Sequence, residues 1–463
     1  MGAARTAVVT ASCVVLVGAL GAGYVAANAH ELVPGPFTTA APWEEATPFP
    51  TPSLPPPAVT SSVIPAWEPA APVPTADGLT PALQTLLTST EIGTPPGVLV
   101  VDVLTGEVLA DAEGSVPRLP ASTTKVLTGA AAVATLDLDD TLATSAALAG
   151  ADELYLVGGG DMTLAAGTGD PDAVVGRAGL GDLAERTAAA LTTRGIASVT
   201  LAYDVSLFAE EAQAPGWGPI DFSGGHVTTI QPLGIEIGRV EGQVQRDLNP
   251  ARTAAGTFAA ALRERGIEVR DVVKGTTPDD AATLASVQSA PLGELLDLTL
   301  ADSSNTLTEV FGRLVAIERG EPASFAGATA AVLDTIANLG IDVSGTSLGD
   351  TSGLSTENRI SPRLLVDVLR RAATDPALSR LSVALPVSGL DGTLADRWLE
   401  PGVVRAKTGT LVSVVSLAGY APTADGRLLA FAAMADGIPY AGSYGARLRI
   451  DEWVNSLLAC GCR

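Results

Sequence analysis

Three apolar runs near the C-terminal end of the chain constrain the fold most strongly. They occupy residues 403–407, 412–420 and 428–436, and only a few residues separate each run from the next. Connections this short join antiparallel neighbours, because a parallel pair of strands needs a long crossover. The last connection contains Asp425 and Gly426, residues that favour a tight turn. The sequence therefore predicts three adjacent antiparallel strands.

Helical patterns and one hairpin lie on either side of these strands in the sequence. Residues 97–110 predict a β-hairpin. Residues 121–136, 292–318 and 446–458 have the apolar spacing of helices, and the second of these is interrupted near residues 302–305. The folded chain therefore combines helices with antiparallel strands.

The middle of the chain forms a separate block. Within residues 140–290, strand-like runs such as 154–157 alternate with a helical pattern at 183–194. We predict that 140–290 is an inserted domain. It would separate the two halves of the main domain, residues 78–139 and 291–463.

The N-terminal residues have the pattern of an export signal. A short basic start at Arg5 precedes a nearly uncharged apolar run, and small residues at 27 and 29 suit a cleavage site. The run is also long enough for a membrane anchor, so residues 1–29 are predicted to be either a signal peptide or an anchor that attaches the chain to the membrane. Residues 30–77 are rich in proline, alanine and threonine, which predicts a disordered linker. Both alternatives place the body outside the cytoplasm, secreted or anchored at the cell envelope.

Charge and composition exclude several classes of function. The formal net charge of −24 opposes binding to the phosphate backbone of a nucleic acid. The chain has only two histidines and three cysteines, without the spacing of a zinc site, so we expect no metal and no cofactor. His226 is the one histidine outside the N-terminal segment, and we interpret it as a structural or surface residue. Cys460 and Cys462 can pair with each other, pair between chains or remain an unpaired tail.

The scarcity of lysine draws attention to Lys125. The chain has 24 arginines but only three lysines, Lys125, Lys274 and Lys407. Arginine stays protonated, whereas a buried lysine can lose its proton and act as a base. Ser122 lies three residues before Lys125, and residues with this spacing share one face of a helix. The pair therefore suits a serine nucleophile with a lysine base, although such a pair alone also arises by chance.

Two further short motifs follow in the sequence. Ser303 and Asn305 stand in the break between helical stretches, where a hydroxyl can relay a proton and an amide can hold a substrate backbone. Lys407, Thr408 and Gly409 lie in a predicted strand, where they offer a fixed cation, a hydroxyl for a carboxylate and close approach to the strand edge. Taken singly, the first motif is equally explained as a helix cap and the second as a bulge. Together, the order SxxK, SxN and KTG is typical of penicillin-binding proteins and serine β-lactamases.

Over most of residues 80–455 the chain resembles the D-Ala-D-Ala carboxypeptidase/endopeptidase family of class C low-molecular-mass penicillin-binding proteins, peptidase family S13. The resemblance extends beyond the three motifs to residues 154–164, 350–355, 385–394 and 407–411. Met162 stands where the family usually has proline, and Thr351 replaces a glycine. Residues 215–240 match the family only loosely.

The resemblance implies a fold and a reaction. The fold is α+β and multidomain, with a transpeptidase/β-lactamase-like domain of antiparallel sheet flanked by helices and a large insertion. Ser122 would attack the carbonyl of the penultimate D-Ala, Lys125 would be its base, and Ser303, Asn305 and Lys407 would complete proton transfer and substrate holding.

The resemblance also implies binding roles and ligands. Thr408 and Thr410 would bind the terminal carboxylate beside Gly409, and the backbone N–H groups of Ser122 and Thr410 would form the oxyanion hole. The substrates would be peptidoglycan stem peptides ending in D-Ala-D-Ala, and penicillins would acylate Ser122 as covalent inhibitors.

Three alternatives remain open at this point. Carboxypeptidase action could be accompanied by endopeptidase action on cross-links. A catalytically idle wall-peptide-binding protein is disfavoured by the intact Ser122, Lys125, Asn305 and Lys407. A β-lactamase is disfavoured because Ser122 and Ser303 are 181 positions apart, which leaves room for a large insertion.

Overall fold

The computed structural model describes residues 18–30, 32–33, 68–209, 211 and 213–460. The chain separates into two units, residues 1–61 and 62–463. In the first unit, residues 18–29 form a helix, α1. Among the described residues, no helix is both long and apolar enough to cross a bilayer. The predicted start of the export segment and most of the predicted linker lie outside the described residues.

The second unit contains twelve named strands within its described residues. They are β1 Gly97–Asp102, β2 Val108–Ala112, β3 Thr141–Ala149, β4 Glu153–Val157, β5 Asp161–Leu164, β6 Ser198–Asp204, β7 Leu233–Ile235, β8 Glu268–Lys274, β9 Ala282–Pro291, β10 Arg405–Leu411, β11 Val414–Pro422 and β12 Leu428–Ala435.

Helices connect and cover these strands. They are α2 Ala76–Leu87, α3 Lys125–Thr135, α4 Leu180–Thr193, α5 Pro219–Ser223, α6 Pro250–Glu264, α7 Leu292–Ala301, α8 Asn305–Glu318, α9 Phe325–Asn338, α10 Pro362–Thr374, α11 Ser379–Ala384 and α12 Ser443–Leu458. The long helix predicted over 292–318 is thus two helices, with the break where the sequence placed it.

The first sheet is antiparallel, with strand order β10-β11-β12-β1-β2. Alternate residues of β1 belong to different cores. Val98 and Val100 pack with α2 and α12, whereas Leu99 and Val101 pack with α3 and α10. Because both faces are covered, these strands are nearly continuous apolar runs rather than alternating ones. The structure confirms the predicted fold class, an antiparallel sheet flanked by helices.

The second sheet is mixed, with strand order β8-β6-β4-β3-β9. Strand β3 pairs antiparallel with β4 and β9, while β6 pairs parallel with β4 and β8. Helices α4 and α6 contribute their apolar faces to its core. The strands of this sheet fall within residues 141–291, and the assignment of this segment to a separate inserted domain stays a prediction.

The folded body begins earlier than the predicted boundary at residues 77 and 78. Thr75 caps α2 by accepting a hydrogen bond from the Gly78 N–H, so the boundary falls inside this first turn. Upstream, the carbonyl of Pro69 accepts a bond from Arg427, whose guanidinium also pairs with the buried Asp102. The last ten residues of the proline-rich stretch are therefore bound to the body through their backbone.

The described residues end at Cys460. Cys460 follows α12, is buried and is disulfide-bonded. Cys462 lies outside the described residues.

Candidate active site

Ser122, the candidate nucleophile, stands in a 3-10 turn, Ala121–Thr124, rather than in the first turn of the α-helix expected over 121–136. Side chains impose this turn, because the hydroxyls of Thr123 and Ser416 both donate to the Pro120 carbonyl, at 2.7 and 2.6 Å. Ala121 enters it with φ +49°, a backbone conformation that costs energy for a residue other than glycine. In a 3-10 turn residues three apart are eclipsed, so the turn directs Ser122 towards Lys125.

Gly409 allows β10 to pack against this turn. A Cβ at this position would lie 2.2 Å from Ser416 Oγ, 2.7 Å from the Pro120 oxygen and 3.0 Å from the Ser122 nitrogen. Only glycine allows such an approach. The sequence predicts that Gly409 makes room for a substrate; the structure shows that it makes room for the turn that contains Ser122.

Lys125 contacts three acceptors from three parts of the chain. Its Nζ lies 3.0 Å from Ser122 Oγ, 2.6 Å from Asn305 Oδ1 and 2.6 Å from the Ser352 carbonyl oxygen. The last two oxygens can only accept hydrogen bonds. A neutral amine has two N–H groups to give them, and its lone pair is then left for the Ser122 hydroxyl, which can donate. The contacts thus suit an amine that removes a proton from Ser122.

Burial favours the neutral form of this amine. Lys125 is completely buried, and this burial lowers its pKa from 10.5 to about 7, against the charges of Asp350 and Glu309, which raise it. At neutral pH the side chain is therefore divided between ammonium and free amine. An ordinary exposed lysine would be almost entirely ammonium.

The two carboxylates hold the loop that presents the Ser352 carbonyl. Glu309 Oε1 accepts the backbone N–H groups of Thr351 and Ser352, at 3.0 and 2.8 Å. Asp350 is fully buried and accepts five bonds, including one from Gly353 N–H at 2.8 Å. Burial raises the pKa of Glu309 to about 7, and the charge of Asp350 adds to this. Asn305 and Glu309 lie one turn apart on the same face of α8. Asn305 contacts Lys125 directly, and Glu309 holds the loop whose Ser352 carbonyl contacts Lys125.

Ser303 and Asn305 occupy the junction between α7 and α8. Ser303 has φ +56°, and within the described part of the chain its hydroxyl has no hydrogen-bond partner. Asn305 starts α8 after Ser304, whose side chain caps the helix by accepting from the Leu307 N–H. The structure brings Asn305 into contact with Lys125 and to the cleft, whereas Ser303 is not among the residues that line the cleft.

Lys407 differs from the fixed cation that the sequence suggested. It is completely buried, and this burial, assisted by the charge of Lys125, holds the pKa of Lys407 well below its ordinary value. Its Nζ donates to the Thr408 carbonyl at 3.2 Å. The Thr408 hydroxyl donates to Thr393 at 2.8 Å, whereas Thr410 lines the open cleft. Of the two threonines, Thr410 therefore faces the cleft, and Thr408 is buried beside Thr393.

A cleft of about 610 Å³ opens above Ser122. Its walls come from the middle region and from the C-terminal part of the chain. The residues that line it include Ile220, Asp221, His226, Asn305, Thr410, Val412 and Tyr440. Strand β10 is the outer strand of its sheet, so every second backbone N–H of β10 faces away from β11. Among the described residues, no group of three metal-ligating side chains is found.

Sequence reasoning missed several residues of this site. Glu309 and Asp350 were not singled out for any role, although Asp350 starts one of the family-like segments and Glu309 lies four residues after Asn305. The sequence indicates a structural or surface role for His226, and the residue is exposed; the sequence does not indicate that it lines the cleft or that its carbonyl accepts a bond from Asn305 Nδ2 at 3.0 Å. A backbone contact of this kind leaves no signal in the sequence.

Comparison with known proteins gives consistent matches. The sequence model of the D-Ala-D-Ala carboxypeptidase 3 (S13) family matches residues 79–251 and 245–457. The carboxypeptidase DacB of Mycolicibacterium smegmatis is 38% identical over 427 residues, which cover 89% of this chain and 90% of that protein. The D-alanyl-D-alanine carboxypeptidase of Actinomadura sp. is 31% identical over 73% of this chain and 77% of its own.

A solved structure supports the same fold. Penicillin-binding protein 4 of Haemophilus influenzae superposes with a TM-score of 0.68 at 24% identity, covering 82% of this chain and 98% of that chain. A second structure of that protein, in complex with a β-lactam, superposes with a TM-score of 0.61 at 25% identity, with the same coverage of both chains.

Proposed function

The chain belongs to the D-Ala-D-Ala carboxypeptidase 3 (S13) family, and from this premise we propose that Ser122 is its nucleophile and Lys125 the base that activates it. The observation that carries the proposal is the set of three contacts at Lys125 Nζ, which directs the lone pair of a neutral amine at Ser122 Oγ. The lowered pKa of Lys125 makes that neutral amine abundant at working pH.

Acylation then proceeds in two steps. The Ser122 hydroxyl gives its proton to Lys125 as Oγ bonds to the carbonyl carbon of the penultimate D-Ala. The carbonyl π electrons move to the oxygen, which the N–H groups of Ser122 and Thr410 stabilise. The early N–H groups of a helical turn and alternate N–H groups of an outer strand lack partners within their own element, which supports this assignment.

The intermediate collapses when the C–N bond to the terminal D-Ala breaks. The leaving nitrogen takes a proton that originates on Lys125, and we assign its relay to the hydroxyl of Ser303, in the loop between α7 and α8. The neutral amine is thereby restored. Water next adds to the acyl ester, Ser122 leaves as the alcohol, and the shortened peptide is released.

Substrate holding is assigned to the remaining motif residues. We infer that Thr410, together with Thr408 beside it, binds the terminal carboxylate, with Lys407 supplying positive charge when protonated. Gly409 keeps this strand close to the nucleophile's turn. Asn305 would hold the substrate backbone in addition to its contact with Lys125.

The proposed substrates are peptidoglycan stem peptides that end in D-Ala-D-Ala, and the proposed inhibitors are penicillins, which would acylate Ser122 by the same attack. Action on these peptides implies a location outside the cytoplasm, with residues 1–29 as a signal peptide or membrane anchor. We also propose that residues 140–290 form an inserted domain between the halves of the catalytic domain. These halves would be residues 78–139, with residues 68–77 bound to the same body, and residues 291–463.

The test combines labelling with product analysis. Wild-type protein incubated with a fluorescent penicillin should carry one label, and Ser122→Ala should carry none while melting at a similar temperature. Mass spectrometry of digested wall peptides should show loss of terminal D-Ala. Cleavage of cross-linked dimers in the same digest would add endopeptidase action, and release of the label within seconds would indicate a β-lactamase. An unlabelled wild type would overturn the proposal in favour of an idle binding protein.

A further inference from the structure

One short segment of the middle region contacts one partner of Lys125 directly and the loop that carries the other. This segment, residues 215–226, contains α5 and the loops around it. Apart from the nucleophile, Lys125 Nζ has two partners, Asn305 Oδ1 and the Ser352 carbonyl. The segment reaches the first through His226 and the second through Trp217.

The contact with Asn305 is made by backbone. The His226 carbonyl accepts a hydrogen bond from Asn305 Nδ2 at 3.0 Å. Because the amide group is planar, fixing Nδ2 also fixes the direction of Oδ1, the atom that faces Lys125. The bond also fixes which amide atom faces Lys125. In a flipped amide, Nδ2 would face the Lys125 amine and Oδ1 would face the His226 carbonyl, so that two donors and two acceptors would be opposed.

The contact with the Ser352 loop is made by the Trp217 indole. Its Nε1 donates to Asp350 Oδ2 at 2.7 Å, and the Ser352 hydroxyl donates to the same oxygen at 3.0 Å. Trp217 is only 5% exposed and packs edge-on against Phe222 and Phe325. The indole therefore fixes the carboxylate around which the Ser352 loop turns.

The rest of the segment is fixed on the same loop and faces the cleft. Ser355 Oγ donates to the Pro215 carbonyl at 2.5 Å. A Cβ on Gly216, which has φ +80°, would lie 2.6 Å from that hydroxyl oxygen. Ile220 and Asp221, in α5, line the cleft. The wall that faces a substrate and the support of the base are thus one continuous piece of chain.

We propose that Trp217 is a positioning residue for Lys125, through which the middle region aligns the catalytic amine with Ser122. The inference rests on the proposed roles of Ser122 and Lys125. Trp217 touches neither the reacting atoms nor the nucleophile; it acts through Asp350 and the Ser352 carbonyl. Misalignment of a catalytic group by a fraction of an ångström to one ångström lowers rates by up to about 100-fold.

The substitution Trp217→Phe keeps an aromatic ring and removes the N–H donor. It should lower the rate constant of acylation by a β-lactam about 10- to 100-fold, while the dissociation constant of the initial complex changes less than about twofold. The midpoint of the pH–rate profile should also rise. The charged groups that face Lys125 are Asp350, Glu309 and Lys407. The indole N–H offsets part of the Asp350 charge, so its loss favours the ammonium form.

The experiment is stopped-flow acylation by a chromogenic cephalosporin from pH 5 to 9, on wild type, Trp217→Phe and the matched control Trp453→Phe. Trp453 is also buried, but it lies in α12 and packs on Phe431 instead of Asp350, so its variant should keep the wild-type rate constant and midpoint. A folded Trp217→Phe protein with wild-type rate and midpoint would overturn the inference. So would a change confined to the dissociation constant, which would make the segment a substrate wall only.

Two outcomes separate this inference from the function it rests on. A wild type that is not acylated refutes the assignment of Ser122 and Lys125 themselves; an acylated wild type with an unaffected Trp217→Phe refutes only the positioning role. If Trp217→Phe does not fold, Ser355→Ala, which loosens the same segment at Pro215, should show the same slower acylation with unchanged initial binding. Wild-type acylation by this variant would then overturn the inference.

Discussion

Replacing Lys125 by arginine tests the base directly. With a pKa of about 7, roughly half of the Lys125 side chains are neutral at pH 7. A lysine with the ordinary pKa near 10.5 would be neutral in about one molecule in 3,000, and an arginine, whose pKa is higher still, in about one in 300,000 or fewer. Burial thus enriches the reactive amine about 10³-fold, and Lys125→Arg should reduce it about 10⁵-fold. Acylation of this variant should be undetectable.

The assay follows covalent labelling by a fluorescent penicillin over hours, with intact mass to count labels and thermal melting to establish folding. Lys274→Arg, a like substitution in β8, is the matched control and should label at the wild-type rate. Since a guanidinium is larger than an ammonium, Lys125→Met provides a second variant of similar length without a base. It should also remain unlabelled.

The pH dependence of wild-type acylation checks the same reasoning. The reactive form of Lys125 is the deprotonated one, so the rate should rise with pH through a midpoint of about 7 and level off above it. Labelling of a folded Lys125→Arg protein at more than about one hundredth of the wild-type rate would refute the role of the lysine. A wild-type rate that is flat from pH 5 to 9 would refute the assigned pKa.

Three further substitutions test the surroundings of the site. Glu309→Gln keeps an acceptor for two backbone N–H groups but removes a charge that raises the pKa of Lys125, so the midpoint of the acylation profile should fall by up to about one pH unit. Gly409→Ala would place a Cβ 2.2 Å from a neighbouring hydroxyl oxygen; it should lower unfolding free energy by about 1–3 kcal/mol and prevent labelling, whereas Gly256→Ala, in an open helical position, should not. Asp451→Asn should cost about 3–5 kcal/mol in denaturant unfolding, because it leaves the buried Arg397 without its carboxylate.

Each of these outcomes has a clear opposite. A midpoint that stays or rises in Glu309→Gln would mean that its charge does not reach the lysine. A labelled, fully stable Gly409→Ala would show that the nucleophile's turn tolerates displacement from β10. A loss below about 1 kcal/mol in Asp451→Asn, comparable to that expected for Asp152→Asn in an exposed ion pair, would contradict the contribution assigned to burial.

Local patterns predicted the elements around the site well. The break between α7 and α8 and the three C-terminal strands follow from short-range apolar spacing and turn residues, and the structure has them within a few residues of the prediction. The 3-10 turn at Ser122 could not be predicted in this way. It depends on the Ser416 hydroxyl, which lies nearly 300 positions away and donates a hydrogen bond to the Pro120 carbonyl.

The arrangement of the first sheet likewise required the tertiary structure. The apolar runs predicted that β1 and β2 form a hairpin and that β10, β11 and β12 are neighbours. They did not show that β1 inserts between β2 and β12 to make one sheet. The pairing of distant strands depends on which apolar faces are buried against each other. A strand that is apolar along its whole length can pair with many different strands equally well.

The sequence by itself determined the chemistry that the chain can perform: a serine three residues before a lysine, an asparagine at a helix start and a second lysine in a strand, in a chain that otherwise uses arginine. Only the tertiary structure decided whether that lysine can be a base. The pKa of Lys125 depends on its complete burial and on two carboxylates from other segments, and its lone pair is directed by carbonyls that Trp217 and His226 help to hold. The identity of a side chain is known from its position in the sequence alone, whereas its desolvation and alignment arise only when distant segments pack together.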